Sequence, residues 1–469
     1  MNPGDRARPP RGGDTVADLL TTLEPDLPAA ADELQIATLL ERRGLTDEEA
    51  TARYGRDVFA LSRELFRRLP PRPVQEPPPG TTTPRSRAAR LLSHGPLYAV
   101  PSLVYPAVLV ALGGPALVRG MLLATSLGWV WGMGTSVAAY RLLGQGRPRA
   151  AARLWRRLTL LGLGVAVADA ALLATTGDGG AGLVAFVVAQ VGYQLASGTM
   201  LFYGLEWRLA LIALPAAGLG VTYILLGFDP DRAAPALLAG AVTSALALGA
   251  AWWATRARGG TARPNRPDTV RPTLIGTLPC VVYAMLSALF LMFNSARFIT
   301  APLDLAITVA PLVLGMGVLE WRSHRFHDQA VTLLRRTSAT AEFRRRAWLL
   351  LLRELGVSML VLAVLGALLL GVLAAAGVLT PRAVLLLGAY LLLGGAYFAG
   401  YILVNHGEFR WILTVVGVVA VLDIAATLSL SSRFAPYGEV PVFLAGCLTL
   451  LVLFLTALRQ NIGRVAPYR

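Results

Sequence analysis

The run WLLLLRELGVSMLVLAVLGALLLGVLAAA, residues 348–376, decides how the rest of the chain is read. Apart from Arg353 and Glu354 near its start it carries no charge, and about 20 predominantly apolar residues in a helix suffice to cross roughly 30 Å of hydrocarbon. A soluble core has no use for many helices that are apolar on every side. Comparable runs, separated by short interruptions, recur from Pro96 onward. They predict an all-α, polytopic integral membrane protein with spans at 95–112, 118–140, 158–176, 181–203, 209–227, 234–254, 273–293, 303–319, 348–376, 382–404, 411–430 and 437–458. Apolar residues make up 55% of the chain before glycine is counted, against roughly 45–50% with glycine in soluble proteins.

Arginine content tests the count, because connections should alternate between basic and non-basic sides of the membrane. One side collects RLLGQGRPRAAARLWRR, the Glu206–Arg208 turn, TRARGGTARPNRPDTVR, the 320–347 loop, the Asn405–Arg410 turn and the tail, with 23 Arg; the other holds only Arg119, Arg232, Arg297, Arg382 and Arg433, which makes 5. This split predicts both termini in the cytoplasm of a multi-pass protein in a bacterial plasma membrane. Six spans precede the basic linker at 257–272 and six follow it, so two six-helix lobes are expected, 95–256 and 273–458, with a tail at 459–469. No residue-level repeat between the halves is visible.

All 43 basic residues are Arg, as in proteins from GC-rich bacterial genomes, and the net charge is +15. In a membrane protein that excess reads as basic loops against anionic lipid headgroups, not as a nucleic-acid surface. Cys280 and Cys447 both fall in apolar runs, so neither a disulfide framework nor a thiolate site is indicated. The N-terminus lacks the apolar stretch of a cleaved signal peptide. His324 and His327, with Glu320 and Asp328 nearby, lack a convincing third metal ligand and stand among Arg322 and Arg325, which favours a solvated helix face. A GxGxxA string from Gly162 lies inside a span with no strand before it. No P-loop and no nucleophile–base arrangement with supporting context occurs, so an enzyme, a cofactor and a metal are not expected.

Ahead of the spans, residues 1–30 read as a disordered tail, 31–69 as a small cytoplasmic module of three short helices, and 70–92 as a Pro/Arg-rich linker. Gly44 is placed to end the first of these helices, and Thr46 with Glu49 fits a capping box opening the second. The third offers Val58, Leu61, Leu65 and Phe66 as an apolar stripe.

Polar residues inside spans carry the functional candidates, since each is costly there unless satisfied or used. Asp169 and Asp423 are intramembrane carboxylates. Gln190, Tyr193, Gln194 and Ser197 share one helical face, as do Tyr397 and Tyr401, with Tyr390 on the same span. For the carboxylates, interhelical hydrogen bonding is the competing reading; for the uncharged set it is helix packing and interfacial anchoring. Arg353 and Glu354 stand about one turn inside the interface, where arginine snorkels or pairs. Gly128 and Gly132 form a GxxxG suited to close packing within the bundle.

EWRSHRFHDQAVTLLRRTSATAEFRRRAW, residues 320–348, reads as one or two amphipathic helices with Trp321, Phe326, Val331, Leu333 and Leu334 on the apolar side. Such a segment either lies on the cytoplasmic leaflet or docks a cytoplasmic enzyme. Together with TLIGTLPCVVYAMLSALFLMFNSARF (273–298) and APLDLAITVAPLVLGMGVL (301–319), and with Gly144, Gln145, Gly146 and Arg147–Arg153 after the second span, it resembles the PelG-like exopolysaccharide exporters of the multidrug/oligosaccharidyl-lipid/polysaccharide flippase superfamily. That resemblance implies a transporter or flippase moving a polysaccharide or lipid-linked glycan by alternating access. Of the intramembrane polar residues, Asp169, Gln190, Tyr193, Gln194, Tyr397, Tyr401 and Asp423 are the expected lining of a cavity between the lobes. Arg147, Arg149, Arg322, Arg325, Arg344, Arg345 and Arg346 would meet lipid headgroups or a partner, and 31–69 or 320–347 would dock a glycosyltransferase. A non-transporting scaffold of envelope assembly and a cation-coupled multidrug antiporter of the same superfamily are the alternatives.

Overall fold

The computed structural model describes residues 16–23, 33–68, 84–177, 179–227, 229–257, 271–298, 302–337, 339–375, 377, 379–430, 439–464 and 468. Four short helices come first: α1 (Val16–Leu23), α2 (Glu33–Arg42), α3 (Asp47–Tyr54) and α4 (Val58–Arg68). The first span is broken into α5 (Pro84–Ala99), a 3₁₀ turn at Val100–Val104 and α6 (Tyr105–Leu112). Then follow α7 (Gly114–Gly144), α8 (Pro148–Thr175), α9 (Gly180–Phe202), α10 (Glu206–Leu225), α11 (Ala233–Ala257) and α12 (Arg271–Phe298). The chain continues through α13 (Pro302–Arg336), α14 (Thr340–Ala375), α15 (Pro381–Asn405), α16 (Phe409–Leu430) and α17 (Val440–Asn461). Among the described residues, 11 helical stretches are long and apolar enough to cross a membrane; α13 covers the remaining predicted span at 303–319. Their outward faces carry exposed leucines such as Leu172, Leu225, Leu238, Leu368 and Leu428, which fits a hydrocarbon solvent.

Helices α5 to α11 form one lobe and α12 to α17 the other. The main packings between lobes are α7 on α12 and α5 on α13, that is, spans 2 with 7 and 1 with 8. Advancing every span by six turns the first pair into the second. The most deeply buried helices, α9 and α15, are spans 4 and 10, again six apart. The repeat that side chains do not display is therefore present in the architecture.

Span 1 bends because Pro101 and Pro106 lack the amide protons a continuous helix would need. Its bent stretch is received by Gly220 of α10, where a Cβ would stand 2.6 Å from the Leu103 carbonyl oxygen. The bend divides the span's allegiance: α5 packs on α13 of the second lobe, whereas α6 packs on α7, α9, α10 and α11 of its own. At the α5–α13 crossing, a Cβ on Gly95 would lie 2.0 Å from the Leu314 carbonyl oxygen and one on Gly317 would lie 2.5 Å from that of Leu91. Only hydrogen allows the two backbones to approach so closely.

Several sequence expectations change. Val16–Leu23, expected in a disordered tail, is helical, and Leu23 is fully buried; the rest of 1–30 lies outside the described residues, as do 70–83 and 258–270. The expected linker loses 84–92 to α5. The 320–347 segment is not a separate helix on the leaflet: α13 continues unbroken through 35 residues, about 50 Å at 1.5 Å per residue, and turns directly into α14. Its apolar side is already buried: Phe326, Ala330 and Leu334 are at most 2% exposed, and the Phe326 ring packs on Tyr468. The N-terminal module meets α14 through Phe59 against Phe343, with ring centroids 6.2 Å apart, and through Asp57, which accepts from the Thr340 amide at 3.3 Å and hydroxyl at 3.4 Å. The capping box is present, with reciprocal Thr46–Glu49 hydrogen bonds.

Candidate functional site

The seam between the lobes holds a set of ion pairs at the arginine-rich end of the bundle. His94 of α5, which is 7% exposed, has Nδ1 2.6 Å from Glu320 Oε2 of α13 and Nε2 3.9 Å from Glu206 Oε1 of α10. Arg90 donates to Glu206 through Nη2 at 2.9 Å and Nε at 3.1 Å. One turn further out, Arg87 reaches Asp328 at 3.4 Å and His324 Nδ1 at 3.5 Å. One imidazole thus bonds a carboxylate of the other lobe, while its Nε2 is buried near Glu206 without a hydrogen-bond partner among the described residues. Tyr98 and Tyr140 of the first lobe and Tyr401 of the second gather within electrostatic range of Glu320. Nearer the middle of the bundle, Trp129 of α7 meets Tyr397 of α15 edge to face at 5.4 Å. The Tyr397 hydroxyl, buried at this contact, has no hydrogen-bond partner among the described residues.

A second polar centre lies inside the second lobe. Asn294 of α12 donates to Asp423 Oδ2 of α16 at 2.6 Å and to the Phe290 carbonyl at 2.9 Å. Asp423 Oδ1, Asn294 Oδ1 and the hydroxyl of Thr427, one turn along α16, are all buried without a partner among the described residues. Gly446 of α17 admits the carboxylate, since a Cβ there would stand 2.8 Å from Asp423 Oδ1. Ser295 and Tyr390 share a hydrogen bond at 3.2 Å nearby.

The predicted cavity residues are not brought into one chamber. Asp423 and Tyr397 stand at the two places just described. Tyr401 lies beside His324, 6.3 Å between rings, at the arginine-rich end. Tyr193 is a packing residue, its hydroxyl donating to the Leu97 carbonyl at 2.8 Å. Gln194 lies over Gly128, where a Cβ would collide with its carboxamide, so Gly128 serves close packing of α7 on α9, whereas a Cβ on Gly132 would meet open space. Gln190 is buried on the same face as Tyr193 and Gln194. Asp169 is half-buried on α8, away from both polar centres.

Among the arginines assigned to headgroups, Arg344 and Arg345 are exposed, and Arg346 pairs with Glu342 at 2.6 Å; Arg147 and Arg149 are half-buried at the start of α8. Arg322 is a correction. It is 6% exposed and pairs by proximity, not by a hydrogen bond, with Glu354 Oε2 2.9 Å away, because α14 presents a fully buried carboxylate that must be neutralised. Arg353 completes that neutralisation at 2.7 Å, and Arg325 stands at 3.9 Å. Sequence reasoning missed His94, Glu206 and Asn294 as site residues. The available signal was a titratable or amide side chain at the edge of, or inside, an apolar run.

Comparison with family models finds no match, and comparison with curated proteins finds none. Solved structures do match. The chain is similar to the MATE multidrug transporter DinF-BH in complex with R6G, at 14% identity and TM-score 0.54, covering 82% of this chain and 96% of that one. It also matches an inward-facing multidrug resistance MATE family transporter of the MOP superfamily at 16% identity, TM-score 0.43, covering 81% and 98%. A MOP superfamily transporter from Pyrococcus furiosus matches at 16% identity, TM-score 0.42, covering 82% and 97%. The fold is thus the all-helical, multi-pass fold of the first of these, in two lobes.

Proposed function

We propose that this chain is a bacterial plasma-membrane transporter that carries its substrate between two lobes by alternating access, with the arginine-rich end in the cytoplasm. The observation that carries this reading is the latch of His94 between Glu206 and Glu320. Its bond to Glu320 ties the lobes at the arginine-rich end, while α6, the outer half of the same span, packs on its own lobe. A seam closed at one end by ion pairs is an element with two arrangements, as alternating access requires.

The substrate class we favour is a polysaccharide or lipid-linked glycan. Tyr98, Tyr140, Tyr401, Trp129 and Tyr397 give the facing surfaces of the lobes aromatic rings, three of them from the first lobe and two from the second. Rings with hydroxyls stack on sugar faces and hydrogen-bond their edges. A glycosyltransferase docked on the exposed side of the N-terminal module would supply such a substrate. Proteoliposomes containing the full chain test the proposal: a fluorescent lipid-linked oligosaccharide should change leaflets in wild type and stall in Trp129→Ala and Tyr397→Ala. Unchanged glycan movement in both variants would refute the aromatic assignment.

A second reading, cation-coupled drug antiport, draws on Asp423. Its free oxygen, with those of Asn294 and Thr427, supplies acceptors for a proton or a small cation in a buried place. Efflux of a cationic dye driven by an imposed ion gradient, without movement of the oligosaccharide, would favour it.

A further inference from the structure

Away from the seam, on the lipid-facing side of the first lobe, α8 and α11 diverge over α9 and leave a groove of about 250 Å³. Its walls are Leu160, Leu163 and Leu248, and Gly249 leaves one stretch without a side chain, with open space where a Cβ would point. Leu160 is 56% exposed, and no other described helix covers the opening. At the arginine-rich end the groove closes on Trp252, whose ring has the Arg156 guanidinium 6.0 Å and the Arg256 guanidinium 5.3 Å from its centroid. The neighbouring hydroxyls are already engaged, Thr255 with the Trp252 carbonyl and Thr199 with the Leu195 carbonyl. Among the described residues no carboxylate pairs with Arg156 or Arg256.

An apolar slot open to hydrocarbon, ending at two arginines held on one indole at the interface, has the polarity of an anionic phospholipid laid along a helix bundle. The acyl chain satisfies the leucines at no desolvation cost. The phosphate meets two guanidinium groups, which bind such oxyanions through paired donors. A zwitterionic lipid adds a cation at the same place and forfeits much of that gain. We propose that this groove is a binding site for one anionic glycerophospholipid, with its phosphate on Arg156 and Arg256 and an acyl chain against Leu160, Leu163 and Leu248. The site is independent of what passes between the lobes.

Native mass spectrometry of the full chain in detergent tests the assignment, using phosphatidylglycerol, phosphatidylcholine and inorganic phosphate as separate probes. Wild type should retain phosphatidylglycerol and neither of the others. Arg156→Ala and Arg256→Ala should each weaken retention about five-fold, as expected of roughly 1 kcal/mol per basic residue at an anionic surface. Gly249→Trp, which fills the groove and leaves every charge in place, should weaken it as much. Arg208→Ala, which alters the neighbouring pair of rings Trp207 and Trp253, should not, and serves with melting profiles as the folding control. Equal retention of phosphatidylcholine, binding of phosphate alone, or full phosphatidylglycerol retention in Gly249→Trp would each overturn the proposal.

Discussion

His94 Nδ1 and Glu320 Oε2 lie 2.6 Å apart across the boundary between two lobes of one chain, a charge-assisted contact short enough to hold the lobes together. Hydrogen bonds to charged groups contribute on the order of 2 kcal/mol, roughly a thirty-fold bias in a two-state equilibrium. Glu320→Gln keeps the shape and removes the charge. Cross-linking of Arg87→Cys to Asp328→Cys by a short bifunctional thiol reagent, across positions whose native side chains meet at 3.4 Å, should therefore fall markedly in the Glu320→Gln background. Cross-linking that stays complete would mean that the α5–α13 backbone contact alone holds the seam.

Glu354 and Arg322 make the opposite kind of pair, buried within one lobe and serving stability. Removing one member of a buried ion pair costs about 3–5 kcal/mol, because the other charge is left unpaired. Glu354→Ala, which strands Arg322 beneath α14, should lower the melting temperature far more than Arg325→Ala, whose side chain is 43% exposed at 3.9 Å. Thermal unfolding in detergent, followed by size exclusion, reads the difference.

These two pairs show what the sequence discloses and what it hides. Length, apolar runs and the arginine split predicted an all-helical bundle in two lobes because solvation and charge are local properties, readable one segment at a time. Thr46 with Glu49 was legible for the same reason. Glu354 was visible as a charge inside a run, yet its neutralisation by Arg322 depends on α13 extending past the bilayer beside α14. His94 meets Glu320, 226 residues away by position, only because spans 1 and 8 cross closely at glycines. Long-range partners of this kind leave no periodic trace. The 320–347 amphipathic face was legible as apolar, and its burial, with Tyr468 on Phe326 and Phe59 of the N-terminal module on Phe343, was not.

Asp423 and Asn294 form the polar centre on which the antiport reading draws. Asp423→Asn removes the charge while the amide still fills the space beside Gly446, so folding should survive and, on the antiport reading, gradient-driven dye efflux should fall at least ten-fold. Asp169→Asn, half-buried and apart from both polar centres, should have little effect alone. The measurement is initial transport rate in proteoliposomes at matched protein content. If the double replacement of Asp169 and Asp423 transports normally, the polar centre is structural, and the functional cavity must be sought at the seam.

Tyr468 and His406 meet where the arginine-rich ends of α13, α14 and α15 come together. The Tyr468 ring sits 5.2 Å from His406, 6.2 Å from His327, 6.4 Å from Phe326 and 5.5 Å from Phe343, and its hydroxyl donates to the Ile462 carbonyl. Burial, with His327 and Arg464 nearby, lowers the His406 pKa to about 4, so the folded chain favours the neutral imidazole. A depressed histidine pKa contributes stability that is whole above the unfolded value of 6.5. That contribution drains as pH falls from 6.5 toward 4, by up to about 3 kcal/mol at 1.36 kcal/mol per unit. The melting temperature of the full chain should therefore exceed that of a chain truncated after Arg464 by most near pH 7.5, and the gap should close by pH 5 to 4. His406→Phe, which cannot charge, should keep the gap constant across this range; a gap in wild type that is equally constant would show that His406 does not govern the docking of Tyr468.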